Sequence, residues 1–252
     1  MPRIDPAFFD AFNWAWIGLA AVVFVSLFFV TAPYGRHLRA GWGPMLPARL
    51  GWMIMEAPAL LLVGLGLAFG SRPLDAYSGL LGAMFLAHYV HRTLIFPLRL
   101  PRASRPMPLS IVLSAVFFNL VNGSLQGLWI GELAPSTLRL SAPRVVLGVA
   151  LFLAGAAINL QSDAILRRLR REGSGYQVPQ GGLFRFVSCP NYFGEIVEWT
   201  GFALAMGALP GYAFLAWTLA NLVPRAVEHH RWYRANFPGY PGGRRALVPF
   251  LF

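Results

Sequence analysis

The chain has 252 residues, 56% of them hydrophobic and only 12% charged, with a mean hydropathy of +0.54. A soluble domain carries about twice that charged fraction, so the composition excludes an ordinary soluble fold and predicts an integral membrane protein. The net charge of +11 rests on 21 arginines with no lysine, all in gaps between long apolar runs, which reads as a topology signal and argues against a nucleic-acid partner.

The first apolar segment, residues 13–31, follows Asp5 and Asp10 instead of a basic leader, so it is expected to be a retained helix. The second, 50–70, carries Glu56 about six residues in, with Pro58 just after it. A carboxyl at that depth must be protonated or paired. The third, 77–96, holds AHYVHRT with His88, Tyr89, His91 and Arg92. The fourth, 108–130, aligns Asn119, Asn122 and Gln126 on one face, read first as hydrogen bonds between helices. The fifth, 145–166, places Asn159 and Asp163 four residues apart. It runs into RRLRREGSGYQVPQGGLFRF (167–186), where four arginines meet a Gly-rich turn and a tyrosine. Such a stretch is either a solvated basic loop or part of a pocket for a polyanion.

CPNYFGEIVEWTGFAL opens the sixth segment, 193–208, and stacks Asn191, Glu195 and Glu198 on one helical face. Ala208-Leu209-Pro210 predicts a tight hairpin into the last segment, 211–224, which is followed by an Arg-, His-, Trp- and Tyr-rich tail. No segment alternates like a strand. The expected fold is therefore all-α: one domain over 1–252, a bundle of seven transmembrane helices whose cytoplasmic loops would close over a cofactor if the chain is an enzyme.

With seven spans, one side collects Arg36, Arg39 and Arg49; Arg92, Arg99, Arg102 and Arg105; Arg167, Arg168, Arg170, Arg171 and Arg185; and Arg225, Arg231, Arg234, Arg244 and Arg245. The other side keeps Arg3, Arg72, Arg139 and Arg144, a division of 17 to 4. It predicts an outside N-terminus and a cytoplasmic C-terminus. The all-Arg, Ala-rich composition points to a bacterial inner membrane. Cys189 stands alone, so no intrachain disulfide forms, and the five histidines show no zinc spacing, so no metal is expected. GxGxxG after a strand, GxSxG and the P-loop are all missing, so any cofactor site must be built from membrane helices and their loops.

Four blocks in order carry a resemblance to a known family: EAPA; HYVHRT; NLQSDAILRRLR with GYQVPQGGLFRFVSCPNYFGEIVEWTGFALA; and RAVEHHRWYRANFPGYPGGRRALVPFLF. From the second span onward the chain resembles the steroid 5-alpha-reductases, membrane enzymes that reduce the Δ4 bond of 3-oxo steroids with NADPH. The resemblance implies that Glu56 and Tyr89 hold the 3-keto oxygen of a 3-oxo-Δ4 steroid or similar lipid enone. It implies that Arg92, Arg105, Asn159, Asp163, Arg170, Tyr176, Asn191, Glu195, Arg225, His229 and Tyr233 wrap NADPH. Glu198 has no implied role and is read as an acid paired with a neighbouring helix. The chain departs from the family at Met55, where Gln is frequent, at Glu228, where His is frequent, and in a loop about two residues longer between Arg92 and Arg105. A monomer is expected. Two other readings are open: a membrane methyltransferase of the isoprenylcysteine type using S-adenosylmethionine, since PNYxGE occurs there too, and a non-catalytic lipid-binding protein or transporter.

Overall fold

The computed structural model describes residues 5–101, 104–135, 139–172 and 175–252; Arg3 and Arg102 lie outside them. The protein is an all-α membrane bundle. Helix α1 (Pro6–Phe29) starts where the Asp5 carboxylate accepts the Ala7 N–H at 3.0 Å, with Pro6 as its first residue. Then come α2 (Ala48–Phe69) and α3 (Ala76–Val90), the latter capped by Asp75 accepting from Ser78 N–H at 2.7 Å. A π-helical turn, His91–Ile95, carries α3 into the short α4 (Phe96–Arg99). Helix α5 (Leu109–Leu128) also ends in a π turn, and α6 (Pro143–Glu172), α7 (Pro190–Met206) and α8 (Leu209–Asn236) complete the chain. Seven of these match the seven expected segments.

Their ends differ in instructive ways. Among the described residues, four helices are long and apolar enough to cross a membrane by themselves: α1, α2, α5 with its π turn, and α6. Helices α3 and α7, with 15 and 17 residues, fall short of the roughly 20 that span a bilayer. Helix α8 runs 28 residues, passing Pro224, beyond the apolar segment that marks its start. The expected hairpin is present: Gly207 ends α7 in the left-handed conformation (φ 57°), and α8 begins two residues later with Pro210 in its first turn. The linkers ahead of α2 and α5 also pair, Met45–Leu46 against Met107–Pro108, in a two-residue antiparallel ribbon that hydropathy did not reveal.

Glycines set the closest helix contacts. A Cβ placed on Gly155 of α6 would sit 2.2 Å from the Glu198 nitrogen of α7, and one on Gly201 of α7 would sit 2.4 Å from the Gly148 carbonyl oxygen of α6. Gly66 of α2 and Gly127 of α5 meet in the same way. Without a hydrophobic drive between helices in lipid, such backbone approach is a main source of packing energy. Helix α1 leans on α8, where the Trp16 and Trp217 rings lie 4.6 Å apart and Trp217 Nε1–H donates to the Trp16 carbonyl at 3.1 Å. Phe8, Trp14, Val22, Phe29 and Val146 are exposed, as the lipid-facing surface of a membrane bundle requires.

Candidate active site

Two cavities meet inside the bundle. The larger, about 870 Å³, is walled by apolar and aromatic side chains of α1, α2, α5, α7 and α8, including Trp16, Phe118, Trp199, Phe214 and Trp217. The smaller, about 390 Å³, is walled by arginines and polar groups. Both are lined by Arg92, Trp52 and Tyr34, so these residues stand at the junction.

In the apolar cavity a short polar array crosses the wall. Pro58 has no N–H, so the Ile54 carbonyl lacks its helical partner just before Glu56. Asn119 Nδ2 of α5 donates to the next carbonyl, Met55 O, at 2.6 Å, and to Glu56 Oε2 at 3.1 Å. The Tyr89 hydroxyl donates to Asn119 Oδ1 at 3.3 Å. Glu56 and Tyr89 are thus joined through one carboxamide. Asn119 makes the interhelical bond its spacing predicts, but its partners are the two residues singled out for the substrate carbonyl. The i,i+3 spacing with Asn122 pointed to the face and not to the partners.

Arg92 follows Tyr89 by three residues, inside the π turn, a local widening that recurs at functional sites. Its Nε lies 3.8 Å from Glu56 Oε1 and its Nη2 lies 3.7 Å from Glu195 Oε2, with the guanidinium over Trp52 (4.7 Å) and Phe96 (5.1 Å). Asn159 Nδ2 donates to Glu195 Oε2 (3.4 Å) and to the Asn191 carbonyl (3.0 Å), and Asn191 Nδ2 donates to Asp163 Oδ1 (3.4 Å). One continuous polar chain therefore runs from Tyr89 to Asp163. Glu198, three residues below Glu195, is paired with His88: its Oε1 lies 2.8 Å from His88 Nδ1, both groups being sunk in the bundle.

The polar cavity gathers Arg105, Asp163, Arg170, Tyr176, Asn191, Arg225 and His229 along with Arg92. Glu195 lines the apolar cavity, while Asn159 and Tyr233 stand one layer behind, holding the residues that line the space. Arg225, His229 and Tyr233 share one face of α8 because the helix continues past Pro224 at i,i+4 spacing. Arg225 Nε donates to the Tyr192 hydroxyl at 3.0 Å.

Four residues here were missed or read only as topology markers. The linker after α1 folds back onto α8, so Tyr34 lies under the Arg225 guanidinium at 3.5 Å and His37 stacks on His229 at 5.1 Å. Burial, then Arg225 and Arg36, lower the pKa of His37 from 6.5 to about 4. Arg36 lies over the rings of Tyr233 (4.5 Å), Trp232 (4.8 Å) and Tyr176 (5.2 Å), and its Nη2 donates to the Tyr233 hydroxyl at 3.1 Å. Arg167, one turn after Asp163, also lines the cavity.

Arg36 Nη1, Arg167 Nη1, Arg225 Nη1 and His229 Nδ1 are buried nitrogens without a hydrogen-bond partner among the described residues. Buried donors left unmade cost about 1–3 kcal/mol each, and charged ones more. Clustered guanidinium N–H groups of this kind fit phosphate oxygens. The Tyr176 ring, with Arg36 on one side and Arg105 5.4 Å away, suits a flat aromatic base.

Residues 105–252 match the family model described as 3-oxo-5-alpha-steroid 4-dehydrogenase. The chain is 43% identical to Steroid 5-alpha-reductase DET2 of Arabidopsis thaliana over 237 residues, 90% of each chain. It is 42% identical to 3-oxo-5-alpha-steroid 4-dehydrogenase 1 of Bos taurus, over 96% of each chain. Against the human protein of the same name the identity is 44%, over 87% of this chain and 86% of the other.

Proposed function

The chain belongs to the 3-oxo-5-alpha-steroid 4-dehydrogenase family, and from that premise we propose that it is a membrane reductase for the Δ4 double bond of a 3-oxo steroid, with NADPH as the reductant. NADPH supplies a hydride when bound. The orphaned donors of Arg36, Arg167, Arg225 and His229 suit its phosphates, and Arg105 and Arg170 add charge to the same wall. Asn191, Asp163 and Glu195, chained through Asn159, supply acceptors and donors for its sugar hydroxyls and carboxamide. Tyr176 offers a ring to the adenine.

The observation that carries the reading is the Glu56–Asn119–Tyr89 array in an apolar wall, beside Arg92 and the arginine-lined cavity. Reduction of an enone at its β-carbon drives negative charge onto the carbonyl oxygen. The Tyr89 O–H, which donates to Asn119 Oδ1 here, would turn to that oxygen when the steroid enters, and a donor in an apolar wall stabilises the developing charge strongly. The cavity of about 870 Å³ is of the size that encloses drug-sized apolar ligands. The arginine distribution supports a cytoplasmic polar cavity and an outside N-terminus; the all-Arg, Ala-rich composition supports a bacterial inner membrane, and one chain supplies every residue named for the site, which supports a monomer. The test is oxidation of NADPH by the detergent-purified protein with a panel of 3-oxo-Δ4 steroids, followed by assignment of the C5 configuration. A 5α product is expected. Purified, folded protein that consumes no NADPH with any steroid of the panel overturns the reading.

A further inference from the structure

His88 and Glu198 form a second buried pair, parallel to Glu195–Arg92 and about one turn away. His88 of α3 precedes Arg92 of the following π turn by four residues, and Glu198 follows Glu195 by three on α7. Helix geometry stacks the two pairs. Arg92 of the first pair stands at the junction of the cavities, whereas His88 lines only the apolar one. Its ring packs on Trp199 (4.6 Å between centroids) and on Tyr89 (5.3 Å). Two ionisable groups at this depth cost more than an apolar pair of the same volume would. The cofactor contacts and the carbonyl array leave them without a purpose.

The proposed reaction has a second half that needs such a group. Once C5 has received a hydride, the electron pair of the former double bond is shared between C4 and the oxygen at C3. Tyr89 and Glu56 hold the oxygen end. The C4 end must receive a proton. Of the other ionisable side chains lining the cavity, Glu56 and Tyr89 face the oxygen end, Arg92 and Glu195 pair with each other, and Tyr34 lies beneath Arg225. His88 is left. Glu198 holds its Nδ1, which sets the ring orientation, so in the protonated ring Nε2–H is the bond free to act. The charged and titratable neighbours of His88 are Glu198 and Glu195 from α7, Glu56 from α2, and Tyr89, His91 and Arg92 from α3.

We propose that His88 delivers the proton to C4, with Glu198 as its positioning residue; this rests on the reductase reading above. The Nε2–H bond breaks, its electron pair stays on the ring, and a C4–H bond forms. The neutral imidazole then recovers a proton from water entering the emptied cavity. The step consumes one solvent proton per hydride and needs no further reagent.

The experiment runs wild type, His88→Gln and Glu198→Gln in D2O with NADPH and a 3-oxo-Δ4 steroid, and reads deuterium at C4 of the product by NMR. Wild type should place it in a single configuration. His88→Gln should lose roughly 100-fold in kcat, the usual contribution of a positioned acid, and give both C4 epimers. Glu198→Gln, whose amide can still accept from the ring, should be slowed with the single configuration retained. A second readout needs no cofactor: in 15N-histidine-labelled protein, the His88 signals, identified by their absence in His88→Gln, should move when the steroid is added. A His88→Gln protein with one C4 epimer and wild-type kcat, or His88 signals that ignore the steroid, overturns the proposal while leaving the reductase reading intact. A wild type that reduces no steroid overturns both.

Discussion

A carboxamide can donate and accept at once, and Asn119 uses both capacities: two donations on the α2 side, one acceptance from Tyr89. If this array polarises the carbonyl, Glu56→Gln and Tyr89→Phe each reduce kcat by about 100-fold, the scale of losing one oxyanion donor, while NADPH affinity measured by fluorescence changes little. Asn119→Leu removes both directions of the link and should match them. Wild-type turnover in all three variants sinks the carbonyl role. A different residue contributes to acid sensitivity. His37, stacked on His229 outside the spans, has its pKa lowered to about 4 by burial and by Arg225 and Arg36. The unfolded chain, with His near 6.5, binds the proton first as pH falls. The stability tied to a neutral His37 is therefore complete above pH 6.5 and is lost progressively as pH drops to about 4. His37→Asn should flatten that limb in thermal unfolding scans between pH 7 and 4.5; an unchanged slope contradicts it. Legibility differed among these residues. Glu56 and Tyr89 stood out because charge and phenol are rare in apolar runs, whereas His37 lies in a linker whose return onto α8 no periodicity announces.

The α6–α7 pair shows what an element's sequence hides. Membrane helices are rich in glycine generally, so Gly148, Gly155, Gly194 and Gly201, spaced by seven on each helix, carry no obvious message until the two are laid together. Packed, they bring backbone within reach of backbone, and only then can the Asn159 side chain meet Glu195 and the Asn191 carbonyl. A Cβ at Gly194 would stand 2.6 Å from the Asn159 nitrogen, which belongs to the backbone and cannot swing away. Gly194→Ala should cost about 1–3 kcal/mol by overpacking and weaken NADPH binding with it. Gly64→Ala, where nothing lies within 4 Å, should be neutral or gain about 0.5–1 kcal/mol from the better helix former. Equal melting temperatures for the two variants would refute this account. Helix α8 was readable to its apolar end and no further: Pro224 suggests a stop, yet it removes only one backbone bond and the helix carries on to Asn236.

At the level of the molecule, hydropathy and arginine placement were enough for seven helices, and the motif blocks for most of the residues around the polar cavity. What they could not convey is that the site is two spaces. The balance between phosphate-bearing and phosphate-free cofactors follows from the arginine wall and is open to a direct check. NADPH at 100 times its Kd should stabilise the detergent-purified protein by about 2.7 kcal/mol, and S-adenosylmethionine should not; the reverse order of melting shifts favours a methyltransferase. Arg92, shared by both spaces, has one further consequence. Any ligand that repositions its guanidinium from one side alters the surface presented on the other, so the two occupancies are thermodynamically linked. On the reductase reading, whatever factor a steroid imposes on the affinity for NADPH, NADPH must impose on the affinity for the steroid, and Arg92 is the side chain through which that coupling would pass.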